Sequence, residues 1–139
     1  MTLAQALERL ERDRERHVLG PPASAAELDE LERELGYELP ADYRTLLQRF
    51  GGGLLYNDHE LAGGQRVLMH DIELVPDLKS FGSALAGKGS ATLVPFHRSR
   101  GVGHGFDPAT GAVRELDGGR AFPDLASFLE AVVLPRPEP

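Results

Sequence analysis

Residues 39–53, LPADYRTLLQRFGGG, set an amphipathic helix directly against three consecutive glycines. Tyr43, Leu46, Leu47 and Phe50 recur at i, i+3, i+4 and i+7, so one side of that helix is apolar and has to be covered. Leu39 leads in, and Pro40 suits the first turn, where its missing N–H costs nothing. Stopping a helix takes one glycine. Gly51, Gly52 and Gly53 together allow positive φ at several positions and let backbone approach backbone closely. The chain is therefore expected to cap the helix with one glycine, reverse flat over the others, and enter a strand packed on the helix it has just left. An anion-binding loop is the competing reading, but such loops place glycines before a helix, where free N–H groups point outward. These follow one, where carbonyls are the free groups.

Two more helices precede this one. Thr2 and Gln5 form a capping box ahead of Leu3, Leu7 and Leu10, predicting a helix over about 2–17 that ends before Gly20-Pro21-Pro22. Ser24 and Glu27 form another, with Leu28, Leu31 and Leu35 as the buried stripe and Gly36 as a left-handed C-terminal cap. After the glycines the period changes. LLYND, QRVLMH, ATLVPF, GHGFD and AVREL are short, rich in β-branched or aromatic residues, and separated by turn formers. FDPATGAV reads as two strands joined through Asp107, Pro108 and Gly111, and VPDLKSFGSAL as a short helix between strands. A closing helix over 123–133 carries Leu125, Phe128, Leu129 and Val132, and 134–139 reads as a frayed tail. Helices, then a mostly antiparallel twisted sheet of five to six strands, then a helix, make one α+β domain over 1–139.

The charge is uneven. Net charge is −7, which argues against a general nucleic-acid binder. Residues 24–42 hold seven acids and one base, and 54–77 five acids and one base, whereas 78–106 hold four bases and no acid. No stretch approaches the ~20 apolar residues of a membrane span, and MTLAQALERLERDRERH lacks the apolar core of a signal peptide. With no cysteine there is neither a disulfide framework nor a thiolate metal site. A cytoplasmic protein without a cofactor, monomeric in preference to oligomeric, is the expectation.

Motifs for chemistry are weak. GSALAGKGS resembles a phosphate loop, but Gly89 stands where a hydroxyl should meet magnesium. GVGHG has the wrong glycine spacing for a dinucleotide fingerprint. Of the five histidines, none are paired at i, i+4; His97, His104 and Asp107 could converge across a hairpin, as could His59, His70 and Asp71. A small metal-dependent hydrolase built on the first set is the enzyme reading. Against it, no serine lies in a strand–turn–helix elbow, so neither catalytic residues nor a metal site are expected.

ELDELERELGYELPADYRTLLQRFGGG resembles the signature of the SUKH superfamily, in which an acidic, leucine-bearing helix leads into LP, DY, a leucine and a glycine pair. LVPFHRSRGVGHGFDPATGAV is similar to that family's second signature, a VPF strand, a loop, a strand ending in Asp, and a turn. PDLASFLEAVV looks like its closing helix, so the resemblance covers about 24–133. It implies an α+β domain without catalytic machinery. Bacterial members of that superfamily are immunity proteins that bind and neutralise toxin domains, often nucleases; fungal members regulate cell-wall assembly. HRSRG, with two arginines, departs from the acidic or small polar residues many members carry after VPF, which bears on partner choice. With a cognate toxin domain as partner, Asp58, Glu60, Asp71 and Glu73 are the expected acidic contacts mimicking a nuclease's phosphate ligand, and Tyr56 or Leu61 the anchor. The alternative for the same acids is solubility alone.

Overall fold

A computed structural model describes residues 1–63, 67–69, 72–75, 78 and 93–134, with 67–69 and 72–75 as backbone. Helix α1 (Leu3–Arg12) starts at the Thr2–Gln5 capping box, and α2 (Ala25–Leu35) at the Ser24–Glu27 box. Both boxes are reciprocal, each satisfying two of the helix's orphan donors. Gly36 ends α2 at φ +84°, in the left-handed cap its position predicts. The first helix is shorter than expected: α-helical bonding stops at Arg12, and a 3₁₀ turn covers Arg14–Arg16. The reason is that Asp13 receives the Tyr56 hydroxyl at 2.7 Å and His17 Nε2 lies 3.1 Å from the Leu10 carbonyl, so the chain folds back over its own last turn. Helix α3 (Ala41–Arg49) is N-capped at Pro40 and tied to α2 by Glu32, which accepts from the Leu39 N–H at 2.6 Å and from Arg44 at 2.5 Å.

The strands exceed the expected five to six. β1 (Val18–Leu19), β2 (Gly53–Leu55), β3 (His59–Leu61), β6 (Val94–Ser99), β7 (Val102–Phe106), β8 (Val113–Glu115) and β9 (Ala121–Phe122) form a seven-stranded antiparallel sheet in that order. β4 (Val67–Met69) and β5 (Ile72–Val75) form a separate antiparallel pair inserted between β3 and β6. The added edge strands β1 and β9 are two residues each, too short to show any periodicity. The closing helix is α4 (Leu125–Phe128), N-capped by Asp124, running on into a π-helical turn over Leu129–Val133. Leu134 is buried and donates to Leu129, so it belongs to the core and not to a frayed tail. Residues 135–139, most of VPDLKSFGSAL, and GSALAGKGS lie outside the described residues. Among the described residues no helix is long and apolar enough to cross a membrane.

Helices α3 and α4 pack on the same face of the sheet, where both meet Phe96. Tyr43 of α3 meets Phe96 and Phe106, with ring centroids 5.3 and 5.1 Å apart, and Phe128 of α4 meets Phe96 and Phe122. Tyr43 is 2 % exposed, and its hydroxyl donates to the Ala62 carbonyl, so the polar atom that α3 buries here is satisfied. Leu39, Leu46, Leu47 and Phe50 complete the buried stripe.

The glycine triplet sits where three backbone segments meet, and it does not cap the helix. Phe50 ends α3 in an extended conformation. Gly52 (φ +82°) and Gly53 (φ +153°) do hold the positive φ expected. A Cβ on Gly51 would fall on the Pro21 carbonyl oxygen, one on Gly52 would lie 2.6 Å from the Leu61 oxygen and the Gly63 nitrogen, and one on Gly53 would strike the Val18 oxygen. Gly51 N–H donates to Gly20 at 3.1 Å and Gly20 N–H to Gly52 at 2.9 Å. Three glycines are used because the segment threads between residues 18–21 and residues 61–63 with no room for side chains on either side.

Candidate functional site: a braced rim above a buried histidine row

Two hairpin turns lie side by side at one end of the sheet. Between β2 and β3, Tyr56 (φ +53°) and Asn57 (φ +55°) are left-handed; between β6 and β7, Arg100 (φ +51°) and Gly101 (φ +83°) are. Because β3 pairs with β6, with Glu60 opposite Arg98, these turns are brought together and braced. Glu60 accepts from Arg98 Nε at 2.6 Å. Asp58 accepts from the Ser99 hydroxyl at 3.0 Å and lies 3.2 Å from Arg100 Nε. The Ser99 hydroxyl is the main reason the Asp58 carboxyl is held below its ordinary pKa; His59 and Arg100 add to the effect against the cost of burial. Exposed ion pairs contribute little stability, so their effect here is on geometry: they hold two turns in one arrangement.

This changes the reading of HRSRG. Residues 97–99 are strand, the turn is only Arg100–Gly101, and the two arginines meet Glu60 and Asp58, two of the four acids expected to face a partner. The rim is consequently mixed in charge and not an acidic patch. Arg100 is 84 % exposed and extends beyond its pairing.

Tyr56 is half-buried. Its ring packs edge-on to His17 and under the Arg16 guanidinium at 4.7 Å, and burial with the bond to Asp13 pushes its hydroxyl pKa well up. Leu61 is 1 % exposed and lies in the core, so it is removed from the surface as an anchor. The aliphatic side chain that the rim does present is Val102, 40 % exposed beside Ser99, a residue sequence reasoning passed over. The alternation in VGHGF gives the signal: Val102 shares its face with buried His104 and Phe106 but sits at the strand's open end. Glu73 lies in β5 and Asp71 lies outside the described residues, as does His70.

Beneath the rim three imidazoles form a row. His59 Nδ1 lies 3.0 Å from His97 Nε2, and His97 Nδ1 lies 3.1 Å from His104 Nδ1. His97 is fully buried and His104 3 % exposed. The hairpin register explains the pairing, since His97 and His104 stand opposite one another across Arg100–Gly101. A bulge between Pro95 and His97 lets Phe96 and His97, adjacent in sequence, both reach Phe128, at 5.4 and 4.9 Å. His97 and His104 thus converge as expected, but with His59 as the third member. Asp107 is elsewhere, accepting from the Ala109 N–H in the β7–β8 turn.

Burial pushes the His97 pKa down to about 2, reinforced by the neighbouring His104 and His59. His59 and His104 are also lowered, mainly by burial, opposed by Asp58 at one end and by Glu115 and Asp117 at the other. These rings are neutral near pH 7. Their nitrogens face one another at hydrogen-bond distance, which leaves no space for an ion between them, and among the described residues no group of three or more His, Cys, Asp or Glu is placed to hold a metal. The arrangement suits packing and recognition by a rigid surface.

No curated protein and no solved structure matches the chain. Residues 22–103 match the profile of the SMI1 / KNR4 family (SUKH-1), a span that runs from ahead of α2 through the glycine triplet to the β6–β7 hairpin and so includes the whole rim. The chain belongs to the SMI1 / KNR4 family (SUKH-1).

Proposed function

We propose that this chain is a non-catalytic, cytoplasmic immunity protein that neutralises a cognate bacterial toxin domain by direct binding. The observation that carries the reading is family membership over a span that ends at a braced, mixed-charge rim. The residues proposed to meet the partner are Asp58, Glu60 and Tyr56, extended by Arg100 and Val102, with Asp71 and Glu73 further along the chain. A rim already locked by ion pairs loses little conformational entropy on docking, which favours tight binding. Its charges steer encounter, and Val102 with the Tyr56 ring supplies apolar contact.

The test is co-expression with a candidate toxin domain, sought in the adjacent coding sequence, in cells that this domain kills when expressed alone. Protection by the wild-type chain is expected. Protection should weaken when Asp58 and Glu60 are both changed to Lys, because the Glu60–Arg98 and Asp58–Arg100 contacts that brace the turns are then lost. Absence of protection by the folded wild-type chain would overturn the immunity reading for that pair and leave the regulatory, scaffold-type reading of the family as its replacement.

A further inference from the structure

The histidine row has a direction. Each neutral imidazole carries one N–H, and each of the two ring–ring contacts needs one N–H and one lone pair. Only two arrangements satisfy both contacts. In the first, His97 Nε2–H donates to His59 Nδ1 and His104 Nδ1–H donates to His97 Nδ1. His59 then carries its proton on Nε2, 3.8 Å from an Asp58 carboxylate oxygen, and His104 Nε2 is a bare lone pair. In the second, every bond is reversed: His59 turns a lone pair toward Asp58, and His104 buries an N–H with no acceptor. His104 Nε2 has no partner among the described residues, and His104 lies against the rings of Phe122 and Phe128, at 6.1 and 4.9 Å. Leaving a buried N–H unpaired, together with aiming a lone pair at a carboxylate, disfavours the second arrangement twice over.

We infer that His59, His97 and His104 form a one-way hydrogen-bonded row that locks the β3–β6–β7 core against α4 at neutral pH and is released cooperatively by acid. Consider a proton arriving at His59, the end nearest solvent. Charged His59 must donate from Nδ1, so His97 must accept at Nε2, donate from Nδ1 and force His104 to place its proton on the unpartnered Nε2. Charging one end therefore strands a donor at the other. The charged groups that bear on the row are Asp58 and Arg100 at His59, and Glu115, Asp117 and Arg120 at His104; those bearing on His97 are the other two rings alone, among the described residues. Among the described residues no carboxylate compensates a charge in the middle. The row resists the first proton, and once it breaks, the released rings take up protons together at their ordinary value near 6.5.

The experiment uses the full chain. Long-range ¹⁵N–¹H spectra at pH 7.5 should show Nε2–H tautomers for His59 and His97 and the Nδ1–H tautomer for His104. On acid titration these three should charge at one shared midpoint, at which the Phe128 and Leu129 amides lose their native shifts. His59→Gln, whose side-chain carbonyl can still accept from His97, should fold and keep the other two tautomers. It should also lower by about one the number of protons taken up on unfolding near pH 5, a tenfold smaller change in the unfolding constant per pH unit. The reversed tautomers, or one ring of the row charging while the Phe128 shifts stay native, would overturn the inference.

Discussion

Gly51→Ala separates the two reasons a glycine can be required. Gly51 has no positive φ, so alanine carries no intrinsic conformational penalty there. Its Cβ, however, would fall on the Pro21 carbonyl oxygen, 2.9 Å from the Pro21 carbonyl carbon and 3.0 Å from that of Gly20. Both partners are backbone, so relief requires the 20–21 segment to move away from α3's exit. That movement strains or breaks the Gly51–Gly20 and Gly20–Gly52 hydrogen bonds, each contributing about 1 kcal/mol net, on top of about 1–3 kcal/mol for overpacking a close-packed site. The expected loss is roughly 3–5 kcal/mol, on the order of 10–20 °C in melting temperature for a domain of this size. Gly101→Ala is the matched control: φ is +83° and the added Cβ meets nothing within 4 Å, so only the left-handed penalty of about 1–2 kcal/mol applies. Urea unfolding and thermal melts of both variants decide the matter. A Gly51→Ala protein that melts with the wild type, or above Gly101→Ala, would refute the account of backbone segments in contact.

Three further outcomes are expected. Tyr43→Phe leaves the Ala62 carbonyl without its side-chain donor in the core and should cost about 1–2 kcal/mol in denaturant unfolding. Ser24→Ala removes one half of the second capping box and should cost about 1 kcal/mol by the same assay, with the fold unchanged by circular dichroism. For His97, the folded value is lowered from 6.5 to about 2, so its contribution is complete above 6.5 and is lost as pH falls below it; at pH 5 the loss is about 2 kcal/mol from this ring alone, measurable as a falling urea midpoint between pH 7 and 5.

The helical half of the fold was legible because its signals are local. Capping boxes at Thr2 and Ser24, the left-handed cap at Gly36 and the Tyr43–Phe50 stripe are each decided within a few residues. The core of the sheet was readable from VPF and GHGFD. β1 and β9 were not, since two residues pair only because a neighbouring strand is already in place. The same limit hid the site. That Asp58 and Glu60 are braced by Arg100 and Arg98 depends on the β3–β6 register, across the whole inserted segment. His97 and His104 could be paired from their even spacing about Arg100–Gly101, whereas His59 joins them only through that same long-range pairing. Leu61 was expected as an anchor because it adjoins the acids after the glycine turn; its face is turned inward by the β2 and β6 pairings on either side.

Direct binding through the rim is the central claim, and hydrogen exchange on the purified chain with and without a candidate toxin domain encoded next to its gene tests it most directly. A stable complex is predicted, with an association rate that falls as salt is added and with slowed exchange concentrated at residues 56–60 and 98–102. No complex at micromolar concentrations of two folded proteins, or a complex whose protection leaves both turns unchanged, would contradict the account.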